Sequence, residues 1–163
     1  MTLFKLADLP VFLVIYLFLI RPQTKEEDRI IVGIYYSYMV FVLYQTLSPI
    51  LFSLPKLFTH PYVSMNWKPF IDIRMHNLGA WQEVFLNILL FVPFGFLAGF
   101  YHDHSFRKAV AFSFLLSLTI ELLQPLISVY RTFDITDIIT NVSGGILGYL
   151  CWMIYQKLRN SRL

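Results

Sequence analysis

Charged residues are scarce in this sequence. Only 14% of its 163 residues are Asp, Glu, Lys or Arg, against about 25% in an average soluble domain. Hydrophobic residues make up 57% and aromatic residues 18%, and a soluble protein of this length has too little interior to bury so much apolar surface. The composition excludes an ordinary soluble domain and predicts an all-α integral membrane protein.

Cysteine and the common catalytic motifs are also scarce. The single Cys151 excludes an internal disulfide and a Cys-based zinc site. No Gly-rich phosphate loop, nucleophile elbow or HExxH pattern occurs. The run HDH at 102–104 is typical of a solvated turn, so we expect no metal and no cofactor. The basic residues are scattered, with a net charge of +3, which argues against a nucleic-acid partner.

Long apolar segments are what the sequence does contain. A membrane helix needs about 20 apolar residues, and five segments qualify: 3–20, 30–52, 81–100, 109–127 and 135–155. The first carries Lys5 and Asp8, which we expect to reach the interface by snorkelling. No small-x-small cleavage site follows it, which favours an uncleaved anchor over a signal peptide. We therefore predict one transmembrane domain over residues 1–163, with a long loop at 53–80.

The distribution of basic residues predicts how these five helices are oriented. Cytoplasmic loops are enriched in Lys and Arg. With five spans, one side of the membrane receives eight of the thirteen basic residues: Arg21, Lys25, Arg29, Arg107, Lys108, Lys157, Arg159 and Arg162. We therefore expect the N-terminus outside, the C-terminus in the cytoplasm and the 53–80 loop outside.

Polar side chains are concentrated near the outer ends of the last three predicted helices. We expect six of them to form a ligand-binding or functional polar cluster: Glu121, Gln124, Asp134, Asp137, Asn141 and Asn87. Glu121 and Gln124 share one helix face, and Asp134, Asp137 and Asn141 share another if the last helix begins early enough. A charged group at the centre of a membrane helix costs about 2.5–3.5 kcal/mol. Glu121 should therefore be neutralised, paired or facing a hydrated cavity.

Small residues recur along the last predicted helix. Thr140, Gly144 and Gly148 are spaced every four residues, with Gly145 beside them. Such spacing lets a neighbouring helix approach closely. We predict that this seam packs segment 135–155 against segment 109–127 as a hairpin. On the simplest interpretation, the polar residues only hold that hairpin together.

The arrangement of these residues resembles a known family. The patterns are NxxxFxPFG from Asn87 to Gly95, ExxQ from Glu121 to Gln124, and DxxDxxxNxxGGxxG from Asp134 to Gly148. Together they are similar to the VanZ-like family over residues 66–150. The NWKPF segment is similar to the family's loop before the central helices, so the resemblance assigns a supporting role to Asn66, Trp67, Pro69 and Phe70.

What the resemblance implies is a bacterial cell-membrane protein. The family is known for low-level resistance to teicoplanin and related lipoglycopeptides in Gram-positive bacteria, and it carries no catalytic assignment. Our leading hypothesis is action at the outer leaflet, where the polar cluster binds a lipoglycopeptide or a lipid-linked cell-wall precursor. The alternative is an enzyme in which Glu and Asp act as general acid and base on a lipid headgroup or wall precursor.

Overall fold

The computed structural model describes residues 7–56, 61–62, 65–101, 105–128 and 130–161. The longer regular elements of these residues are helices: α1 Asp8–Ile15, α2 Arg29–Leu47, α3 Ile50–Ser53, α4 Ile71–Arg74, α5 Ala80–Tyr101, α6 Phe106–Ile127 and α7 Ile135–Asn160. Extended pairing within the described residues is limited to one isolated parallel bridge between Asn66 and Asp134. The all-helical prediction is confirmed.

Four of these helices, α2, α5, α6 and α7, are long and apolar enough to cross a membrane. They correspond to the second to fifth predicted spans. Residues 3–6 of the first predicted span lie outside the described residues. Its remainder forms α1, followed by a π-helical turn at Tyr16–Ile20 and a 3-10 turn at Arg21–Gln23.

Helix α2 ends at Leu47, five residues before the predicted end of its span. Ser48 is extended and precedes Pro49, and a residue before proline is disfavoured in the helical conformation. The short helix α3 begins directly afterwards. Asp8 holds this break, because its Oδ2 atom accepts hydrogen bonds from Ser48 Oγ at 2.7 Å and from the backbone N–H of Ile50 at 2.8 Å. We expected Asp8 to snorkel, but it is only 1% exposed because these donors satisfy its carboxylate inside the protein.

The chain divides into two compact units. The first comprises residues 1–63 and 123–131, and the second comprises residues 64–122 and 132–163. Within the first unit, the hydroxyl of Tyr36 on α2 donates to the backbone carbonyl of Phe12 on α1 at 2.6 Å. The rings of Tyr16 and Tyr36 also lie 5.2 Å apart, so this hydrogen bond and ring contact join the two helices.

In the second unit, glycines bring α5 and α7 close together. A Cβ atom at Gly144 would overlap the carbonyl oxygen of Ile88, and one at Gly148 would overlap that of Val92. Only glycine leaves room for backbones at this separation. The predicted small-residue seam therefore faces α5 at these two positions, rather than α6 as we expected.

Gly145 is the seam position that faces α6. A Cβ atom there would overlap the hydroxyl of Ser113. Thr140 is buried, and its hydroxyl donates to the carbonyl of Asp137 at 3.1 Å within α7. The small residues of α7 thus contact two helices, α5 and α6. Their spacing in the sequence does not show which helix each residue faces.

Candidate functional site

The NWKPF segment lies against the start of α7. The backbone N–H of Asn66 donates to the carbonyl of Phe133 at 2.8 Å, and the N–H of Ile135 donates to the carbonyl of Asn66 at 3.1 Å. The ring of Trp67 packs on that of Phe133 with 4.9 Å between centroids. Backbone hydrogen bonds and an aromatic contact thus fix the loop on the residues that precede and begin α7.

Asp134 is the N-cap of α7. Its Oδ1 atom accepts the backbone N–H of Thr136 at 2.6 Å, and its Oδ2 atom accepts the side-chain amide of Asn66 at 2.7 Å. The hydroxyl of Thr136 accepts the N–H of Phe70 at 2.9 Å. The predicted helix face containing Asp134 is therefore wrong, because α7 begins one residue later and Asp134 is extended. Its carboxylate satisfies an N–H group that the helix itself leaves without a partner.

Glu121 supports this cap from α6. Its carboxylate is 1% exposed, and Oε2 accepts the backbone N–H of Asp134 at 3.0 Å. Of the three states that the sequence left open for Glu121, the structure favours a side chain that is paired inside the protein.

Asp137 lies in the first turn of α7 and joins that helix to α5. Its Oδ1 atom accepts the side-chain amide of Asn87 at 2.8 Å. The carboxylate is half-buried, and its position also complements the positive end of the helix dipole. Asn87 and Asp137 thus join two helices, and both side chains remain partly exposed.

Asn141 lies one turn deeper in α7. Its side-chain amide donates to the hydroxyl of Ser117 on α6 at 2.9 Å. Its carbonyl oxygen Oδ1 is buried and has no hydrogen-bond partner among the described residues. Most buried polar atoms in proteins are hydrogen-bonded, so this oxygen is an exception among the described residues.

Sequence comparison identifies the fold family to which this arrangement belongs. The profile of the family described as VanZ/LLP1 matches residues 33–156. A protein VanZ from Enterococcus faecium is 30% identical over 131 residues, which cover 80% of this chain and 78% of the relative. The chain belongs to the VanZ/LLP1 family. No solved structure matches it.

The VanZ/LLP1 region includes α5, α6, most of α7 and the NWKPF loop, and therefore every hydrogen bond described above for the start of α7. We call these side chains the polar network: Asn66, Asn87, Ser117, Glu121, Asp134, Thr136, Asp137 and Asn141. All of them belong to the second compact unit. The sequence analysis named all but Ser117 and Thr136 as site residues. Buried Ser113, Ser117 and Glu121 recur every four residues on α6, a polar stripe that could have indicated Ser117.

Two of the predicted site residues, Gln124 and Pro69, do not belong to the polar network. Gln124 belongs to the first unit, where its side-chain amide donates to the carbonyl of Thr46 at 3.3 Å. The guanidinium of Arg131 donates to the same carbonyl. Pro69 is half-buried in the NWKPF loop. The sequence analysis missed the contact between Gln124 and Thr46 because 78 residues separate them in the chain.

Among the described residues of this VanZ/LLP1 protein, no group of three or more His, Cys, Asp or Glu side chains could hold a metal ion. His60, His102 and His104 lie outside the described residues. The carboxylates of the polar network instead accept hydrogen bonds from backbone and amide N–H groups. Their arrangement can orient a loop and offer acceptors to a bound polar group.

Proposed function

We propose that this protein is a multi-pass protein of the bacterial cell membrane that confers low-level resistance to teicoplanin and related lipoglycopeptides. The observation that carries the proposal is 30% identity to protein VanZ of Enterococcus faecium over 80% of the chain. The similarity extends over most of both proteins, and the family match over residues 33–156 includes the polar network.

The proposed topology has five membrane helices, with the N-terminus outside and the C-terminus in the cytoplasm. It is supported by the eight basic residues that this arrangement assigns to the cytoplasmic side. On this topology the polar network lies toward the outer surface, and the loop at 53–80 is extracellular. The protein then acts at the outer leaflet, where lipoglycopeptides with an acyl tail meet lipid-linked cell-wall precursors.

Within the polar network, the proposed contacts to the drug or precursor are acceptor oxygens of Asp137 and Asn141. Asp137 is half-buried, and the Oδ1 atom of Asn141 lacks a partner among the described residues. Both are acceptors, so they suit the hydroxyl and amide donors of a lipoglycopeptide or a lipid-linked wall precursor. Glu121 and Asp134 hold the loop and helix around them through the hydrogen bonds given above.

Antibiotic susceptibility tests the proposal. A susceptible Gram-positive host would express the wild type, Asp137→Asn, Glu121→Gln or the control Glu83→Gln, whose side chain is exposed on α5. We expect the wild type and Glu83→Gln to raise the minimal inhibitory concentration of teicoplanin more than that of vancomycin. Asp137→Asn should lose this resistance at an unchanged amount of membrane protein, measured by immunoblot.

Two results would count against this proposal. Equal susceptibility of hosts with and without the wild-type protein would contradict the resistance function. Full resistance in Asp137→Asn and Glu121→Gln, at normal protein levels, would contradict the assignment of the site while leaving the function intact.

The orientation has its own test, because Cys151 is the only cysteine. In a Cys151→Ser background, Leu78→Cys and Gln23→Cys each introduce one thiol at an exposed position. A membrane-impermeant maleimide applied to intact cells should label the first variant and not the second. The opposite pattern would reverse the topology and remove the outer-leaflet argument.

The enzymatic alternative rests on the burial of Glu121, since carboxyl groups in sites of low dielectric constant can act as general acids or bases. It predicts that expression changes the profile of membrane lipids or wall precursors in mass spectrometry, and that Glu121→Gln abolishes the change. An unchanged profile in resistant cells would exclude this alternative and leave binding as the mechanism.

A further inference from the structure

A groove lies between α1 with its following π turn and helix α2, within the first compact unit. It has a volume of about 750 Å³, and sites for small molecules commonly measure about 300–1,000 Å³. Most of its lining is apolar or aromatic: Leu9, Phe12, Leu13, Tyr16, Ile30, Gly33, Ile34, Tyr36 and Val40. This groove is separate from the polar network, whose residues all belong to the second unit.

The charged residues of the lining are two arginines. Arg21 and Arg29 both line the groove, and among the side chains that the structure describes no acidic one does. They flank the turn that joins the two helical segments, whereas Leu9 and Val40 lie far from that turn along their own helices. The groove is therefore amphiphilic, with a cationic end at the turn and an apolar remainder.

The guanidinium of Arg29 has N–H donors beyond the one that meets Glu26. Its Nε atom is buried and has no hydrogen-bond partner among the described residues. Its Nη1 atom lies 3.3 Å from Oε1 of Glu26, whose side chain is 90% exposed. Exposed ion pairs contribute little to stability, so Glu26 can yield to another anion. A guanidinium offers five N–H donors in a fork that fits a phosphate with two parallel hydrogen bonds.

Contacts between the two helices hold the lining of the groove in place. Gly33 leaves space for Tyr16, because a Cβ atom there would lie 2.9 Å from the Tyr16 hydroxyl. The hydroxyl of Tyr36 is engaged by the carbonyl of Phe12 at 2.6 Å. These contacts fix the two helices that form the groove, whose lining is mostly apolar.

We propose that this groove binds an anionic phospholipid, with the phosphate on Arg21 and Arg29 and an acyl chain along the apolar side chains of α1 and α2. Charge complementarity selects this occupant: a zwitterionic lipid brings a cationic group to the two guanidinium groups, whereas an anionic lipid brings only the phosphate. Basic pockets between membrane helices recognise anionic headgroups in this way. On the proposed topology the lipid belongs to the cytoplasmic leaflet.

Native mass spectrometry of the full-length protein in mild detergent tests this proposal. Phosphatidylglycerol and phosphatidylcholine with identical acyl chains would be added in equal amounts, and the retained lipid counted for each protein. We expect the wild type to retain phosphatidylglycerol preferentially. The double variant Arg21→Gln/Arg29→Gln should reduce this preference about tenfold, because both charge-assisted contacts to the phosphate are lost.

The matched control is Arg107→Gln/Arg159→Gln, which removes the same charge from two exposed arginines outside the groove. It should keep the wild-type preference. A loss equal to that of the groove variant would show that overall charge decides, and it would overturn the proposal. Equal retention of the two lipids by the wild type would overturn it as well, as would an undiminished preference in the groove variant.

Two further measurements guard against misfolding of the groove variant and against a site for free phosphate. Glu26→Gln removes an exposed competitor for Arg29 and should increase retention of phosphatidylglycerol; unchanged or lower retention would contradict the role of Arg29. Inorganic phosphate in large excess should leave lipid retention intact, because it lacks the acyl chain. Complete displacement by phosphate would show that the site binds simple anions, and it would contradict the proposal that the site binds a lipid.

Discussion

The carboxylate of Glu121 accepts the backbone N–H of Asp134 at 3.0 Å, so a buried acid on α6 secures the residue that caps α7. Glu121→Ala should leave this N–H without an acceptor. An unsatisfied buried donor costs about 1–3 kcal/mol, and Glu121→Gln should cost less, because its amide oxygen can still accept. Thermal unfolding of the purified protein, followed by fluorescence-detected size exclusion, measures both. The exposed Glu83→Ala serves as control, and an equal loss in that variant would argue against the specific contact.

Asp134 should contribute more to stability than its partner Asn66. Asp134→Ala removes the acceptor of both Thr136 N–H and the Asn66 amide. Asn66→Ala removes the second of these contacts and, besides it, only the acceptor of the exposed Lys68 N–H at 3.2 Å. Loss of an N-cap costs about 0.5–2 kcal/mol. In a double-mutant cycle the combined variant should lose less stability than the sum of the two single variants. Strict additivity would mean that the 2.7 Å contact contributes nothing.

Gly148→Ala should disrupt the packing of α7 on α5. The added methyl group would overlap the carbonyl oxygen of Val92, and backbone atoms cannot move aside as a flexible side chain can. Overpacking of this kind costs about 1–3 kcal/mol. The control is Cys151→Ala, one turn further along α7 at an exposed position. A melting temperature unchanged by Gly148→Ala would contradict the close approach of the two helices.

Asp8→Ala should destabilise the break after α2. The substitution removes the acceptor of the buried Ser48 hydroxyl and of the partly buried Ile50 N–H. An unsatisfied buried donor costs about 1–3 kcal/mol. Ser48→Ala should cost less, since it leaves the Ile50 N–H with its acceptor on Asp8. The exposed Asp28→Ala is the matched control. Should Asp8→Ala unfold at the wild-type temperature, Asp8 would be an exposed residue of the kind that we first predicted.

The sequence by itself determined the helical architecture of this protein and the existence of its long apolar helices. A run of about 20 apolar residues predicts a helix long enough to cross a membrane, and the predicted starts of the last three spans lie within three residues of the observed helices α5, α6 and α7. The polar residues could also be singled out, because a carboxylate such as Glu121 is costly in an apolar segment. Both inferences depend on composition and spacing alone.

Only the tertiary structure decided which atoms those polar residues contact. Asp134 proved to be a cap rather than a member of a helix face, because its role depends on the residue at which α7 begins. Gly144 and Gly148 face α5, and Asp8 holds Ser48 from 40 residues away in the chain. Helical period specifies which residues share a face, but a hydrogen bond or a close backbone approach depends on how distant segments pack. These contacts between distant segments are therefore known only from the tertiary structure.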